Sequence, residues 1–143
     1  VETEPKITQT YIAAGKVKLI YRHLLQLGDG SVRTAEASEC AADQGKFWPM
    51  HNMLYARQSE VYASTDLDST LAGFANDLEL DDAAFGSCMS TRKHLQFVQD
   101  DYKAAQADGV QFRPVFDIGD VRLTGALPFA TFQKQIDATL PKQ

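Results

Sequence analysis

Pro114-Val-Phe-Asp-Ile118, Gly119-Asp120 and Val121-Arg-Leu-Thr124 read as a β-hairpin, two short runs of β-branched and aromatic residues around a Gly-Asp turn. Beyond it the period changes to that of a helix, with Phe129, Phe132, Ile136 and Leu140 on one face. Pro128 opens that helix, where its fixed φ and missing N–H are tolerated best. Upstream, Thr91 to about Ala107 forms a helix with Leu95, Val98 and Tyr102 inward and Thr91 as its cap. Five further helical segments precede it. Val32 to Asp43 is Ala-rich, follows the break Gly28-Asp-Gly-Ser31 with Ser31 as cap, and is interrupted by Gly45. Lys46 to Gln58 carries Phe47, Met50, His51, Leu54 and Tyr55 in one stripe, and Asp66 to Leu78 turns Leu67, Leu71, Phe74 and Leu78 inward. A short helix capped by Asp81 or Asp82 buries Phe85 and Cys88. At the start, Glu2 to Ala14 is helical through Ile7, Tyr11 and Ala14, and Gly15 suits a left-handed cap. Val17-Lys-Leu-Ile-Tyr-Arg22 alternates like a strand. The order helix, strand, helical block, hairpin, helix is an α/β layout with a helical insertion, not a bundle.

The 143 residues suffice for one domain with its own core, and 44% are apolar. With 14 Lys and Arg against 19 Asp and Glu, the net charge is -5, and no basic stripe argues for nucleic acid. The densest basic group, Lys16-Val-Lys18 with Arg22, reads as one solvated edge. No apolar run reaches the roughly 18 residues of a membrane span. Val1-Glu-Thr-Glu-Pro5 has neither the basic start nor the apolar core of a signal peptide, so the chain reads as cytosolic, already processed or a fragment. Cys40 and Cys88 lie too far apart for a CxxC or a metal-ligand pair, and three readings stay open: a redox pair, two buried thiols, or a structural disulfide. His23, His51 and His94 have no partner at ligand spacing and read as core histidines, and Trp48 as core. The acidic run Asp77-Leu-Glu-Leu-Asp-Asp82 lacks the EF-hand pattern and reads as a loop and cap. No Walker loop, dinucleotide fingerprint or Ser-His-Asp order occurs. Neither a metal site nor a cofactor is expected.

Taken in order, several stretches resemble the DsbA-like thiol-disulfide oxidoreductases of the thioredoxin fold. Gly15-Lys-Val-Lys-Leu-Ile-Tyr-Arg22 resembles the strand after the active-site helix. Ala37-Ser-Glu-Cys-Ala41, Gln44-Gly-Lys-Phe-Trp48 and Met50-His51 resemble the start of the inserted helical domain, and Leu80-Asp81 with Phe85 and Cys88 its later helix. Gly109-Val110, Pro114-Val-Phe116, Gly125-Ala-Leu-Pro-Phe129, Phe132 and Ile136-Asp137 resemble the closing hairpin and last helix. The resemblance implies an α/β, thioredoxin-like (DsbA-like) sheet with an inserted helical domain, N-terminally truncated. Residues 1–143 would form one such domain, with 1–30 and 109–143 as the thioredoxin-type part and 31–108 as the insertion.

The family's central strand and CxxC would precede Val1, so the usual nucleophilic thiolate is not in this sequence. Another chain could supply the strand, the sheet could close up, or the segment could have been removed. The resemblance therefore leaves room for a homodimer or strand-swapped assembly. Pro114 matches the family's cis-proline at the substrate groove, and Arg113 stands where Thr or Val is usual, with Phe112 where a small residue is common. The resemblance favours the structural disulfide for Cys40 and Cys88. It implies protein or peptide thiol substrates, a cell-envelope (periplasmic or extracytoplasmic) setting, and thiol-disulfide exchange. The alternatives are a non-catalytic peptide-binding or scaffold domain using the groove near Pro114, or a glutathione-using relative of the same fold.

Overall fold

The computed structural model of the chain describes residues 3–141. The helices are α1 (Thr3–Ile7), α2 (Asp29–Ala42), α3 (Phe47–Ala56), α4 (Gln58–Ala63), α5 (Leu67–Asp77), α6 (Asp82–Ser90), α7 (Leu95–Ala107) and α8 (Phe129–Thr139). A π-helical turn, Thr8–Ile12, continues α1, and the strands are β1 (Val115–Ile118) and β2 (Val121–Thr124). The chain divides into two units, one of Val1–Arg22 with Gln106–Gln143 and one of His23–Ala105.

In the first unit β1 and β2 pair antiparallel, with Val115 opposite Thr124 and Ile118 opposite Val121, around the expected Gly119-Asp120 turn. The hairpin lays Phe116, Ile118 and Leu123 on a core of Ile7, Tyr11, Phe132 and Ile136, where Val17 and Leu140 also pack. Phe116 meets Phe132 edge to face at 4.8 Å, a geometry that places a ring's positive edge on its neighbour's negative face. The Tyr11 hydroxyl donates to Asp137 at 2.7 Å, which ties the first helical segment to α8. Burial first, then the Asp137 carboxylate beside it, raises the Tyr11 pKa. Gly15 ends the segment as expected: at φ +67° it lets its own N–H reach Ile12 O and the Lys16 N–H reach Tyr11 O.

Val17-Lys-Leu-Ile-Tyr-Arg22 is not a strand, which corrects the sequence reading. An alternating pattern becomes a strand only where a neighbouring strand takes its backbone groups, and the only sheet among the described residues is the β1–β2 pair. The observed architecture is therefore mostly helical with a small two-stranded sheet.

The second unit is built around α2. Its small residues Ala37 and Ala41, with Cys40, let Met50, Leu71, Phe74, Phe85 and Met89 close over it from α3, α5 and α6. The caps explain where the helices stop. Asp66 and Asp81 accept the Ser69 and Ala84 N–H groups at the starts of α5 and α6; Asp81 is one of the two expected caps, and Asp66, read as the first helical residue, is the cap of its helix. Three boundaries differ from the sequence reading. Helix α2 starts at Asp29, before Ser31, whose Oγ instead accepts the Leu27 N–H at 2.9 Å. The stripe from Lys46 to Gln58 breaks at Arg57 into α3 and α4. Thr91 closes α6 and does not open α7; its hydroxyl donates to Ser87 O at 2.8 Å. Trp48 and Tyr55 are 37% and 52% exposed, so the inward side of α3 is carried by Met50, with Met53 and Leu54 at its margin.

Candidate functional site

Two places carry the chemistry-bearing residues. The first is the corner that leads into β1. The Arg113–Pro114 peptide bond is cis. Pro114 O accepts the Gly125 N–H at 2.8 Å, which closes the open end of the hairpin. Phe112, Arg113 and Pro114 are all exposed, Phe112 at 67%. Arg122 steadies the hairpin from β2: its guanidinium donates to Asp117 at 2.7 and 2.9 Å and to Asp108 O at 2.7 Å. The Arg122 fork holds the Asp117 carboxyl below the ordinary aspartate value. The corner thus carries an exposed apolar ring and an exposed cation immediately before the start of β1.

The second place lies in the helical unit, at the ends of α2 and α6. Cys40 and Cys88 form a disulfide with Cα atoms 5.9 Å apart, and both residues are buried. Asp43, at the C-cap of α2, places Oδ2 2.9 Å from Lys93 Nζ and 2.9 Å from His94 Nε2. The hydrogen bond from His94, then the one from Lys93, lowers the Asp43 pKa. The same oxygen lies 3.7 Å from Cys88 Sγ. That sulfur carries no proton in the disulfide, whereas a reduced thiol could donate there. A cavity of about 280 Å³ adjoins the group, lined among others by Cys40, Asp43, Gln44, Ser87, Cys88 and Lys93.

Local backbone chemistry brings these residues together. Gly45, at φ +72°, ends α2 by letting the Lys46 N–H reach Ala41 O, and so fixes Asp43 in the last turn. The equivalent cap after α6 is built on Arg92 at φ +55°, with the Lys93 N–H on Cys88 O at 3.1 Å. A non-glycine residue there is strained, and the strain is offset because the Arg92 guanidinium reaches Glu36 at 2.8 and 2.9 Å. Glu36 is 1% exposed and also holds Arg33 Nη1 at 3.1 Å. This clamp turns the chain so that Lys93 and His94 fall on Asp43. Cations beside two helix C-termini also complement the partial negative charge of their carbonyls.

Cys40 and Cys88 thus stand together, but Pro114 and Arg113 belong to the other unit. Sequence spacing did not mark Asp43, Lys93 or His94 as members of a site. The usable signals were Cys40 and Asp43 one helical turn apart, and Cys88 shortly before the pair Lys93-His94. Of the other two histidines, His23 is buried as the sequence reading has it, whereas His51 is only half-buried on α3. His23 is buried with Nε2 2.7 Å from Glu39, and its backbone N–H donates to Asp101 at 3.0 Å. His51 packs among Phe47, Trp48 and Tyr55, with ring centroids 6.0, 5.3 and 4.8 Å away.

Comparison with known proteins agrees with this architecture. The thioredoxin family Thioredoxin_4 matches residues 1–138. A thioredoxin-like oxidoreductase from Silicibacter pomeroyi DSS-3 superposes with a TM-score of 0.74 at 22% identity, over 96% of this chain and 76% of that one. The thiol-disulfide exchange protein alpha-DsbA2 from Wolbachia pipientis gives a TM-score of 0.74 at 21% identity, over 96% of this chain and 73% of that one. In sequence, a Na(+)/H(+) antiporter NhaA from Salinispora tropica is 29% identical over 126 residues, 87% of this chain. The chain spans 19% of that relative's length. No helix among the described residues is long and apolar enough to cross a membrane. With a family match across nearly its whole length, and a fold shared with both solved structures, the chain belongs to the thioredoxin family Thioredoxin_4.

Proposed function

We propose that the chain is a thiol-disulfide oxidoreductase-family domain that engages protein thiols and disulfides in the cell envelope, with Phe112, Arg113 and Pro114 as the substrate-facing corner. The match of the family to residues 1–138 carries this reading. In its terms, residues 1–30 and 109–143 form the thioredoxin-type part and 31–108 the insertion, and the Cys40–Cys88 bond is structural. The sequence holds cysteines at positions 40 and 88 only, and therefore no CxxC. The exchange cycle, in which one thiolate attacks and a second cysteine resolves the mixed disulfide, draws its reactive pair from outside the 143 residues. The test is oxidation of a reduced, unfolded protein substrate by a form extended upstream of Val1 to carry the family's strand and CxxC. Turnover that weakens on Arg113→Ala is expected, and an extended form that leaves the substrate thiols unchanged refutes the reading.

A second reading, a non-catalytic peptide-binding or scaffold domain, is favoured by the exposed Phe112–Arg113 pair. A bulky ring and a cation at a groove that commonly holds small residues suit the capture of acidic extended peptides better than fast exchange. It predicts that the 143-residue chain alone binds such peptides in a titration, more weakly as Arg113→Ala. An extended form that exchanges thiols while the chain alone binds no peptide rejects this second reading.

A further inference from the structure

We propose that, once the Cys40–Cys88 bond is reduced, the pocket between the ends of α2 and α6 becomes a zinc site with Cys40, Cys88, His94 and Asp43 as ligands. Donor atoms of Cys40, Cys88 and His94 already lie within 4.8 Å of one another. Asp43 supplies a fourth, its Oδ2 being 2.9 Å from His94 Nε2 and 3.7 Å from Cys88 Sγ. Two thiolates, an imidazole and a carboxylate form a donor set that zinc accepts in tetrahedral geometry. With Zn–S near 2.3 Å and Zn–N near 2.0–2.1 Å, neighbouring ligand atoms stand roughly 3.5–3.8 Å apart. Forming the site requires the sulfurs to separate once the bond is reduced, and the adjoining cavity of about 280 Å³, which Cys40, Cys88 and Asp43 line, gives them room.

The charges also suit a dication. Two thiolates and one carboxylate around Zn²⁺ leave one negative charge, which Lys93 balances from its present place beside Asp43. Its side chain is 56% exposed, so it can move to the outer carboxylate oxygen as the metal takes the inner one. The Arg92 cap holds His94 in place without contributing a ligand.

The chemistry is complete with one added reactant, a dithiol. Its two thiols pass two electrons and two protons to the Cys40–Cys88 disulfide, and it leaves as its own disulfide. Zn²⁺ then displaces the two cysteine protons to solvent as the two Zn–S bonds form, and the His94 ring proton that now faces Asp43 from Nε2 moves to Nδ1, by exchange with solvent, so that Nε2 binds the metal. The pocket would hold either a disulfide or a metal, never both.

The experiment uses the whole 143-residue chain, oxidised or reduced with a phosphine that is then removed, and titrates it with Co²⁺ and Zn²⁺. The reduced chain is expected to take one cobalt, with the visible bands of a tetrahedral site and sulfur-to-cobalt charge transfer, and to release it to zinc. The oxidised chain should show none of these bands. Cys88→Ser should abolish the charge-transfer pattern of two thiolates, and His94→Ala should weaken binding at least about tenfold. Helicity is followed throughout by circular dichroism. A reduced chain that loses helicity and regains it with zinc supports the site, and one that stays unfolded in zinc overturns it. The idea also fails if the reduced, folded chain binds no stoichiometric cobalt, if the oxidised chain binds it equally, or if His94→Ala leaves affinity and spectrum unchanged.

Discussion

Replacing both Cys40 and Cys88 by alanine measures what the disulfide does for the helical unit. The bond joins residues 48 apart in sequence. Closing a loop of that length removes conformational entropy from the unfolded chain, and the chain-entropy relation gives about 4 kcal/mol at 25 °C. Alanine is the informative replacement because both positions are buried in an apolar cluster, where a serine hydroxyl would add an unsatisfied group. The lost sulfur atoms add a smaller packing cost in the same direction.

The assay is equilibrium unfolding in urea, read by the fluorescence of Trp48, the single tryptophan, which lies in the unit that contains the bond. With a slope of about 2 kcal/mol per molar urea, the loss moves the midpoint down by about 2 M. The wild-type chain, once reduced, should unfold within about 1 kcal/mol of the variant, because both lack the same cross-link. A loss below about 1 kcal/mol in both would show that loop closure is not what the bond supplies, and would refute the entropy argument. A large loss in the variant together with a small one in the reduced wild type would assign the effect to packing.

Phe74, buried against the α2 face, should cost about 3–5 kcal/mol on Phe74→Ala, seen as a lowered urea midpoint by the same fluorescence. Arg92→Met strips one guanidinium from the buried Glu36 while Arg33 stays, and should cost about 2 kcal/mol in the same assay. Arg92→Gly loses the same ion pair but relieves the left-handed backbone, so it should cost about 1 kcal/mol less than Arg92→Met. The Arg122 fork depresses the Asp117 pKa, so its contribution is full above the unfolded-state value and is lost as pH falls through the folded one. Arg122→Gln should move the Asp117 carboxyl midpoint up toward the ordinary aspartate value in an NMR titration, and should flatten the loss of stability on acidification.

Much of the fold was readable because local chemistry and tertiary packing agree there. The hairpin, the α8 face, the aspartate cap at 81 and the glycine stops at 15 and 45 each depend on residues within a few positions of one another. Val17–Arg22 was misread because a strand is a property of a pair, and its own alternation says nothing about whether a neighbour exists. Trp48 was misread as core because hydrophobicity marks what can be buried, while the facing surface at that height of α3 is closed by Met50.

The cluster at the end of α6 was hidden for a more specific reason. Thr91 looks like a helix start because threonine favours caps, and a helix stop usually announces itself with glycine. Here the left-handed position falls on Arg92, and what makes that tolerable is Glu36, more than fifty residues away and buried on another helix. The ion pair decides where α6 ends, the end of α6 decides where Lys93 and His94 fall, and those two decide what surrounds Cys88. A chain of causes that passes through a distant carboxylate leaves no local spacing to read. The same dependence makes Arg92→Met a test of this order of causes as well as of stability. If the clamp holds His94 on Asp43, its loss should loosen metal binding by the reduced chain although Arg92 touches no ligand; unchanged affinity would mean that the loop after α6 holds its course without the clamp.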